Sequence, residues 1–406
     1  MSKKAIHNRR QFLKKGIKSA ALAAVIPASI KRKDIQGNDD SSEEKFVYRT
    51  LGRTGIKIPI VSMGTGDTNN KNLVQAALDK GIKLFATSQY YGNGNNEKML
   101  GELIRSYDRN SAVVITSGWP GGVNHREGLF TEEAKTEPYI KSCENSLKNL
   151  GLDYIDIFLL PFAAKRESVF YEPLLKAMEQ IKKQGLAKYI GIATHSWEQE
   201  AIDAAVETGI YDVAMVAYNF KKENIGEINK AIENAAKSGV GIIAMKTMAG
   251  AFWDKEKTLP INTKASLKWA LQNENIHTAV PGITTFDQLA EDIDVMSDLN
   301  LTDKEKADLK LAQRKTENGI YCQQCAECID QCPEFLDIPT LMRSYMYAYG
   351  YRNTSNAKAT LANAGISSLP CPECDFCKVE CTMGFNIKQK IMDIARLNKV
   401  PDDFLI

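Results

Sequence analysis

Residues 322–332 read Cys322-Gln-Gln-Cys325-Ala-Glu-Cys328-Ile-Asp-Gln-Cys332, and residues 371–381 read Cys371-Pro-Glu-Cys374-Asp-Phe-Cys377-Lys-Val-Glu-Cys381. Both runs have the spacing C-x2-C-x2-C-x3-C, which is typical of four-iron clusters because three closely spaced thiolates reach three irons of one cube. With this spacing, the fourth cysteine of each run usually binds the other cluster. The pattern therefore predicts two 4Fe-4S clusters. The predicted ligands are Cys322, Cys325, Cys328 and Cys381 for the first cluster, and Cys371, Cys374, Cys377 and Cys332 for the second.

Zinc sites and disulfide bonds are the alternative uses of so many cysteines. Structural zinc sites pair two short cysteine hooks, whereas each run here has four cysteines within eleven residues. Disulfide frameworks are typical of short secreted chains, and this chain has 406 residues. Thr382 stands where proline usually follows such a run, which is a minor departure. The ninth cysteine, Cys143, is predicted to be an ordinary buried thiol.

The first thirty residues predict an export signal. The segment Asn8-Arg-Arg-Gln-Phe-Leu-Lys14 resembles a twin-arginine motif, and a weakly apolar stretch from Gly16 to Ile30 follows it. That stretch is too short and too polar to span a bilayer. We therefore expect a signal peptide over residues 1–30, a polar linker over residues 31–45, export by the Tat translocase and a periplasmic location, with membrane association where the signal stays uncleaved. A basic N-terminal tail without signal function is the alternative.

Short apolar segments alternate with amphipathic segments from residue 46 onward. Eight such strand–helix pairs can be counted, and glycines such as Gly151 and Gly209 follow the helices directly. This order predicts a (β/α)8 barrel over residues 46–315, with a doubly wound sheet as the alternative. Helices are predicted between the cysteine runs at Pro339–Ala348 and Thr354–Ala364. The predicted fold class is therefore α/β: a TIM barrel with a C-terminal α-helical, ferredoxin-like domain over residues 316–395.

Four segments of the barrel resemble aldo/keto reductases, and most closely the branch that carries a C-terminal ferredoxin-like domain. They are Tyr48-Arg-Thr-Leu-Gly-Arg-Thr-Gly55, Glu97-Lys-Met-Leu-Gly101, Leu152-Asp-Tyr-Ile-Asp-Ile-Phe-Leu-Leu160 and Ala244-Met-Lys-Thr-Met-Ala-Gly250. That family reduces carbonyls with hydride from NADPH. A tyrosine donates the proton, a lysine lowers the pKa of the tyrosine, an aspartate holds the lysine and a histidine orients the carbonyl.

The resemblance places Tyr91 at the position of the catalytic tyrosine, but the other three positions differ. Ala86 replaces the aspartate, Ser117 replaces the lysine and Pro161 replaces the histidine. A phenol with a pKa near 10 is a poor acid–base group at neutral pH when no cation is beside it. The ordinary reductase reaction is therefore not expected.

The C-terminal rim of the barrel, where barrel enzymes place their chemistry, still carries Tyr91, His195 and Lys246. These are the candidate catalytic residues. His195 is expected to titrate near neutral pH. Lys246 is expected to bind an anionic substrate or to neutralise developing negative charge.

The resemblance also locates the candidate cofactor-binding residues, which are Thr194, Asn219, Gly282 and Gln288. The basic residue that usually pairs with the 2′-phosphate of NADPH is missing after the last strand. Use of NAD(P)H is therefore disfavoured, although helix N-termini are able to hold an anion there.

Three functions are compatible with the sequence. The first is an exported iron–sulfur oxidoreductase, in which a redox protein or a small molecule exchanges electrons with a small-molecule substrate through the clusters. The second is an NAD(P)H-dependent reductase with a rearranged acid–base pair such as Tyr91 and His195. The third is a non-catalytic electron carrier or redox-sensing protein. The net charge of +2 does not favour nucleic acid as a partner.

Overall fold

The computed structural model describes residues 46–366, 371, 374 and 377–405. The predicted signal peptide (residues 1–30) and the predicted linker (residues 31–45) lie outside these residues. Within the described ranges, no helix combines the length and the apolar composition that crossing a membrane requires.

The described part of the chain contains twelve strands, of which eight form the central sheet. The strands are β1 (Tyr48–Thr50), β2 (Lys57–Pro59), β3 (Met63–Gly64), β4 (Leu84–Ala86), β5 (Val113–Ser117), β6 (Val123–Asn124), β7 (Leu129–Phe130), β8 (Ile155–Pro161), β9 (Ala187–Thr194), β10 (Val213–Ala217), β11 (Gly241–Met245) and β12 (Thr278–Ala279).

The central sheet runs in the order β3-β4-β5-β8-β9-β10-β11-β12, and every neighbouring pair is parallel. Two parallel bridges, Val61 with Ala279 and Gly64 with Gly282, join the first strand to the last and bring the sheet round into a barrel. The predicted (β/α)8 barrel is therefore confirmed, and the doubly wound alternative is wrong.

Thirteen α-helices accompany the strands in the described part of the chain. They are α1 (Lys71–Asp79), α2 (Asn95–Ile104), α3 (Thr136–Leu150), α4 (Arg166–Val169), α5 (Glu172–Lys183), α6 (Glu198–Thr208), α7 (Ile225–Lys237), α8 (Thr263–Leu271), α9 (Phe286–Val295), α10 (Asp303–Ala312), α11 (Ile338–Tyr349), α12 (Thr354–Asn363) and α13 (Ile387–Ala395). Gly151, after α3, has a φ of 62°, a backbone conformation that costs glycine little.

An antiparallel hairpin of β1 and β2 closes one end of the barrel. Leu51, in its turn, is fully buried and packs with interior residues such as Leu84 and Ile243. A Cβ added to Gly241 would lie 2.7 Å from Leu51 Cδ1, so glycine is required for this close approach. The predicted site residues His195 and Lys246 lie at the other, open end, where the parallel strands terminate.

The C-terminal helices cover that open end. A buried apolar cluster joins Phe220 and Ala249 of the barrel loops to Tyr321, Ile338 and other residues of the C-terminal region. Barrel and C-terminal region belong to one compact unit. The boundary after residue 315 stays a prediction, because the two parts share this core.

Candidate functional site

Four of the predicted ligands surround one pocket in the C-terminal region. Cys322, Cys325, Cys328 and Cys381 all line it, and it encloses about 340 Å³. Cys322, Cys325 and Cys328 come from the loop before α11, and Cys381 comes from the loop before α13. We call this space the first cluster pocket.

The other four predicted ligands surround a second cluster pocket of similar size. Cys332, Cys371, Cys374 and Cys377 line it, and it encloses about 370 Å³. The predicted exchange of the fourth cysteine between the runs is therefore what the chain geometry allows. Ile338 and Ile387 line both cluster pockets, so the two sites adjoin across these side chains.

The arrangement of the sulfurs fits a polynuclear cluster. Four thiolates around a pocket suit a 4Fe-4S cube, because each thiolate binds a different iron. Burial raises the pKa of the Cys322 thiol to about 12, and iron would supply the positive charge that deprotonates it.

Thr382 touches a predicted ligand of the first cluster. Its hydroxyl oxygen lies 3.5 Å from Cys325 Sγ and accepts a hydrogen bond of 3.0 Å from Gln323 Nε2. Because an N–H group already donates to this oxygen, the hydroxyl hydrogen is free to point toward the sulfur. A hydrogen bond donated to a ligand sulfur favours the more electron-rich, reduced state of a cluster.

Replacing Thr382 with Val is expected to lower the reduction potential of the first cluster, on the order of tens of millivolts, because the donor to Cys325 is lost. A redox titration monitored by electron paramagnetic resonance measures this potential. Thr382→Ser keeps the hydroxyl and should retain the wild-type potential. An unchanged potential in Thr382→Val would contradict the hydrogen bond.

The three strand ends that the resemblance aligned with catalytic residues carry small side chains in the structure. Ala86 ends β4, Ser117 ends β5 and Pro161 ends β8. Ser117 Oγ lies 2.8 Å from Ser88 Oγ and donates to the hydroxyl of Tyr90 at 3.4 Å. Hydroxyl groups therefore occupy the place at the end of β5 where the family has an ammonium group.

Tyr91 lies against the backbone of the loop after β3. A Cβ added to Gly66 would be 2.8 Å from the Tyr91 ring, so the ring sits where that side chain would be. Burial, followed by the neighbouring phenols of Tyr90 and Tyr347, raises the pKa of Tyr91 well above its usual value. The Tyr91 phenol therefore stays protonated at neutral pH.

Lys246 follows β11 and has a φ of 58°, which is uncommon for a residue with a Cβ. Its Nζ lies 4.4 Å from the ring centroid of Tyr347 and 5.5 Å from that of Tyr351. Burial lowers the pKa of Lys246, but Tyr347, Tyr351 and Asp67 more than offset this, so the pKa is raised overall. The ammonium group is therefore charged beneath the rings.

His195 follows β9 and lines the same space as Lys246. Burial, and then the positive charges of Arg343 and Lys246, lower the pKa of His195 well below its usual value. The expectation that His195 titrates near neutral pH was wrong, because the sequence reveals neither its burial nor the two cations around it. His195 is a neutral imidazole at neutral pH.

Two pockets meet at the barrel rim. The first, which we call the mouth pocket, encloses about 310 Å³ and is lined by His195, Lys246, Tyr321, Cys322 and Arg343, among others. The second, which we call the arginine pocket, encloses about 450 Å³ and is lined by His125, Phe162, His195, Trp197 and Arg343, among others. His195 and Arg343 therefore face both spaces, and the predicted catalytic residues His195 and Lys246 meet in the mouth pocket.

Two of the predicted cofactor-binding residues are committed to contacts within the chain. The Asn219 amide nitrogen donates to Lys246 O at 3.1 Å and to the Tyr321 hydroxyl at 2.8 Å. The Asn219 amide oxygen accepts from Lys221 N at 3.0 Å. Thr194 Oγ1 donates to Ser196 O at 2.7 Å.

The other two lie after β12, on another part of the rim. Asp67 Oδ2 would be 2.8 Å from a Cβ added to Gly282, so a carboxylate covers this glycine. Asp67 in turn accepts from Asn353 Nδ2 at 2.6 Å. Gln288 caps the start of α9, where its side-chain oxygen accepts from Thr284 N. These contacts place Asp67 and Asn353 over the segment predicted to hold a cofactor.

Sequence reasoning missed Asp67, Tyr321 and Arg343, each of which contacts or faces the site. Arg343 had a detectable signal, because it is the single charged residue in the twelve residues of α11. A lone cation on an otherwise apolar helix indicates a specific electrostatic role. Asp67 and Tyr321 had no comparable local signal.

Comparison with known proteins agrees with the two-part organisation. The model of the aldo/keto reductase family matches residues 61–266, and the model of a 4Fe-4S dicluster domain matches residues 321–386. The uncharacterized oxidoreductase YqkF of Bacillus subtilis (strain 168) is 22% identical over 308 residues, which cover 67% of this chain and 97% of that protein. A putative voltage-gated potassium channel subunit beta of Schizosaccharomyces pombe is 32% identical over 171 residues, but these cover only 39% of this chain and 47% of that protein.

Two solved structures resemble the barrel. An aldo-keto reductase from Bacillus halodurans in its holo form superposes with a TM-score of 0.52 at 18% identity, covering 66% of this chain and 96% of that one. An aldo-keto reductase from Klebsiella pneumoniae in complex with NADPH gives a TM-score of 0.51 at 19% identity, covering the same shares of the two chains. At these identities, the likeness concerns the fold.

Proposed function

The chain belongs to the aldo/keto reductase family, and from that premise we propose that it is an iron–sulfur oxidoreductase in which electrons pass through two 4Fe-4S clusters to a small-molecule substrate at the barrel mouth. One observation carries the proposal. Cys322 lines the first cluster pocket and also lines the mouth pocket, together with His195 and Lys246. A cluster held by Cys322 would therefore lie next to the space where barrel enzymes place their substrates.

The two cluster pockets and the mouth pocket form a sequence of neighbouring sites. Ile338 and Ile387 separate the cluster pockets, and Cys322 separates the first of them from the mouth pocket. When bound, 4Fe-4S clusters supply single electrons. A two-electron reduction of a small molecule requires two successive single-electron transfers from an external donor, either a redox protein or a small molecule. It also requires two protons from the solvent.

The chain's own residues would support this reaction at the mouth. Lys246 is positively charged and would stabilise negative charge that develops on the substrate. Tyr91 keeps its proton, because its pKa is raised and because Ser117 rather than a lysine ends β5. We propose that the proton-relay set of the family is degenerate in this chain, and that Tyr91 is a neutral phenol beside the loop after β3.

The same contacts disfavour NAD(P)H as the electron donor. The Asn219 amide donates a hydrogen bond to the Tyr321 hydroxyl, so this donor is not available to a nicotinamide. Asp67 places a carboxylate beside Gly282. A carboxylate repels a phosphate group, which is also negative. An aldo-keto reductase of this fold from Klebsiella pneumoniae is in complex with NADPH. In this chain, the contacts of Asn219 and Gly282 disfavour that cofactor.

The N-terminal sequence supports a location outside the cytoplasm. The twin-arginine segment Asn8–Lys14 is the kind of signal that directs folded proteins to the Tat translocase. Proteins that carry iron–sulfur clusters are suited to this route, because clusters are inserted before export. We propose that the protein acts in the periplasm with a redox partner there, and that it stays membrane-associated where the signal is not removed.

The test is an anaerobic visible spectrum of the cluster-loaded protein, recorded after addition of NADPH and then of dithionite. We expect NADPH to leave the absorption of the oxidised clusters unchanged and dithionite to bleach it, since dithionite donates single electrons. The dithionite step serves as the internal control for reducible clusters. Bleaching by NADPH alone would contradict the proposal. It would favour the hypothesis of an NAD(P)H-dependent reductase with Tyr91 and His195 as the acid–base pair.

A further inference from the structure

Arg343 lies on α11 with its guanidinium group facing the arginine pocket and the mouth pocket. Its hydrogen-bond partner among the described side chains is Thr340 Oγ1, at 3.1 Å. None of the ion pairs formed by the described residues includes Arg343. The described linings of the two pockets contain no Asp or Glu side chain. A cation without a carboxylate partner in a pocket without acids creates a site for an anion.

His125 provides a second polar group that lacks a partner. Its Nε2 atom is buried and has no hydrogen-bond partner among the described residues. Burial, and then the charge of Arg343, lower the pKa of His125 to about 4, so the imidazole is neutral at pH 7. A neutral imidazole has one donor and one acceptor, and leaving one of them unpaired in the interior is costly. His125 lines the arginine pocket, so a rotation of its ring would let a ligand there pair with this atom.

Two aromatic side chains form part of the wall of the arginine pocket. Phe162 and Trp197 line it, and the Phe162 ring stands edge-to-face against His125 with a centroid distance of 4.7 Å. Both wall residues have a positive φ, 63° for Phe162 and 49° for Trp197. Such backbone strain clusters at functional sites, where surrounding structure holds it in place. A Cβ at Gly128 would lie 2.7 Å from Trp197 Cζ3, so this glycine lets the indole reach its position.

We propose that the arginine pocket binds a small organic carboxylate, with the carboxylate on Arg343 and a flat unsaturated body between Phe162 and Trp197. Arginine suits this role because its planar fork pairs with a carboxylate through two hydrogen bonds. Binding of the carboxylate does not depend on the proposed function. Its role as the electron acceptor rests on the proposed function.

A competing role for Arg343 is to balance the negative charge of the first cluster, since Cys322 lines the mouth pocket with it. The two roles make different predictions. A residue that serves the cluster changes the reduction potential when replaced and leaves ligand affinity unchanged. A residue that binds the carboxylate changes ligand affinity.

The experiment is calorimetric titration of the oxidised, cluster-loaded full chain with benzoate and with benzamide, its neutral analogue. We expect benzoate to bind about tenfold or more tightly than benzamide, because only benzoate pairs with Arg343. Arg343→Gln should weaken benzoate binding about tenfold or more and leave benzamide binding unchanged. Arg396→Gln is the matched control: it removes the same charge from an exposed arginine that lines neither pocket, and it should bind benzoate as the wild type does.

Three results would overturn the proposal. They are equal affinity for benzoate and benzamide, an unchanged benzoate affinity in Arg343→Gln, and a changed cluster potential in Arg343→Gln without a change in affinity. The first comparison uses the wild-type protein and so stays decisive if Arg343→Gln fails to retain iron. His125→Phe, which removes Nε2 but keeps an aromatic ring, should weaken benzoate binding several-fold. No reductant is present in this titration, so it measures binding alone. Its outcome is therefore independent of whether electrons reach the pocket, as the proposed function requires.

Discussion

Replacing Cys325 with Ser is expected to reduce the iron content from about eight to about four atoms per chain, while the barrel stays folded. Cys325 lines the first cluster pocket with three other cysteines, and losing one of four ligands should prevent that cluster from being retained. The side chain is exposed, so the change leaves no cavity in the apolar core. The second cluster pocket has its own four cysteines and should keep its iron.

Iron analysis and far-ultraviolet circular dichroism measure these two outcomes on the same anaerobic sample. Cys143→Ala is the matched control, because Cys143 is a free cysteine buried in α3 and lines neither cluster pocket. It should keep all the iron, although it will lower stability by removing a buried side chain. Full iron in Cys325→Ser would refute the ligand assignment, and loss of all iron would show that the two clusters cannot be held independently.

Most of the barrel could be predicted because its signals are local. The strands Val213–Ala217 and Gly241–Met245 are recognisable in the sequence, since each is an apolar run between turn residues. Glycines such as Gly209, whose φ is 73°, marked the helix ends. The hairpin of β1 and β2 and the helix α13 were not predicted. The hairpin strands have only three residues each, which is too short for a clear alternating pattern.

The site was less predictable because its contacts join residues that are far apart in the sequence. Asn219 donates to Tyr321 across 102 residues, and Asp67 accepts from Asn353 across 286. Neither contact follows from spacing or composition. His195 follows β9 at the rim, but its protonation depends on its burial and then on Arg343 and Lys246, which reach it only in the folded chain. The sequence thus located the rim residues, whereas their charges and partners depend on α11.

Helix α11 contributes residues to both cluster pockets, the mouth pocket and the arginine pocket. Ile338, at its start, lines both cluster pockets, and Arg343, one and a half turns later, faces the mouth pocket and the arginine pocket. Tyr347, one turn further, stands over the Lys246 ammonium group. Different sides of a single helix therefore reach the predicted clusters and the predicted substrate site. This geometry is the physical reason to regard the clusters and the barrel mouth as parts of one reaction site.

Replacing Lys222 with Met is expected to destabilise the protein by about 3–5 kcal/mol, because it breaks a buried ion pair of the barrel that also contacts the C-terminal region. Lys222 Nζ lies 2.6 Å from Glu198 Oε1, and both side chains are only 2% exposed. Lys222 also donates to Gln323 O at 3.0 Å, next to Cys322. Burial lowers the pKa of Lys222, but Glu198, Tyr321 and Cys322 together more than offset this, so the pKa is raised and Lys222 stays charged. Lys222→Met would leave a buried carboxylate without a partner.

Unfolding in urea measures the loss of stability, and exposure to air measures how fast the iron is released. Lys237→Met is the matched control, since Lys237 pairs with Glu233 on the surface and should cost no more than about 1 kcal/mol. Glu198→Leu in the Lys222→Met background should recover part of the loss, because the unpaired carboxylate is then gone. Faster iron release in Lys222→Met, with normal release in Lys237→Met, would locate the weakened contact at Gln323. Equal stability of the two lysine variants would mean that the buried pair does not hold the C-terminal region on the barrel.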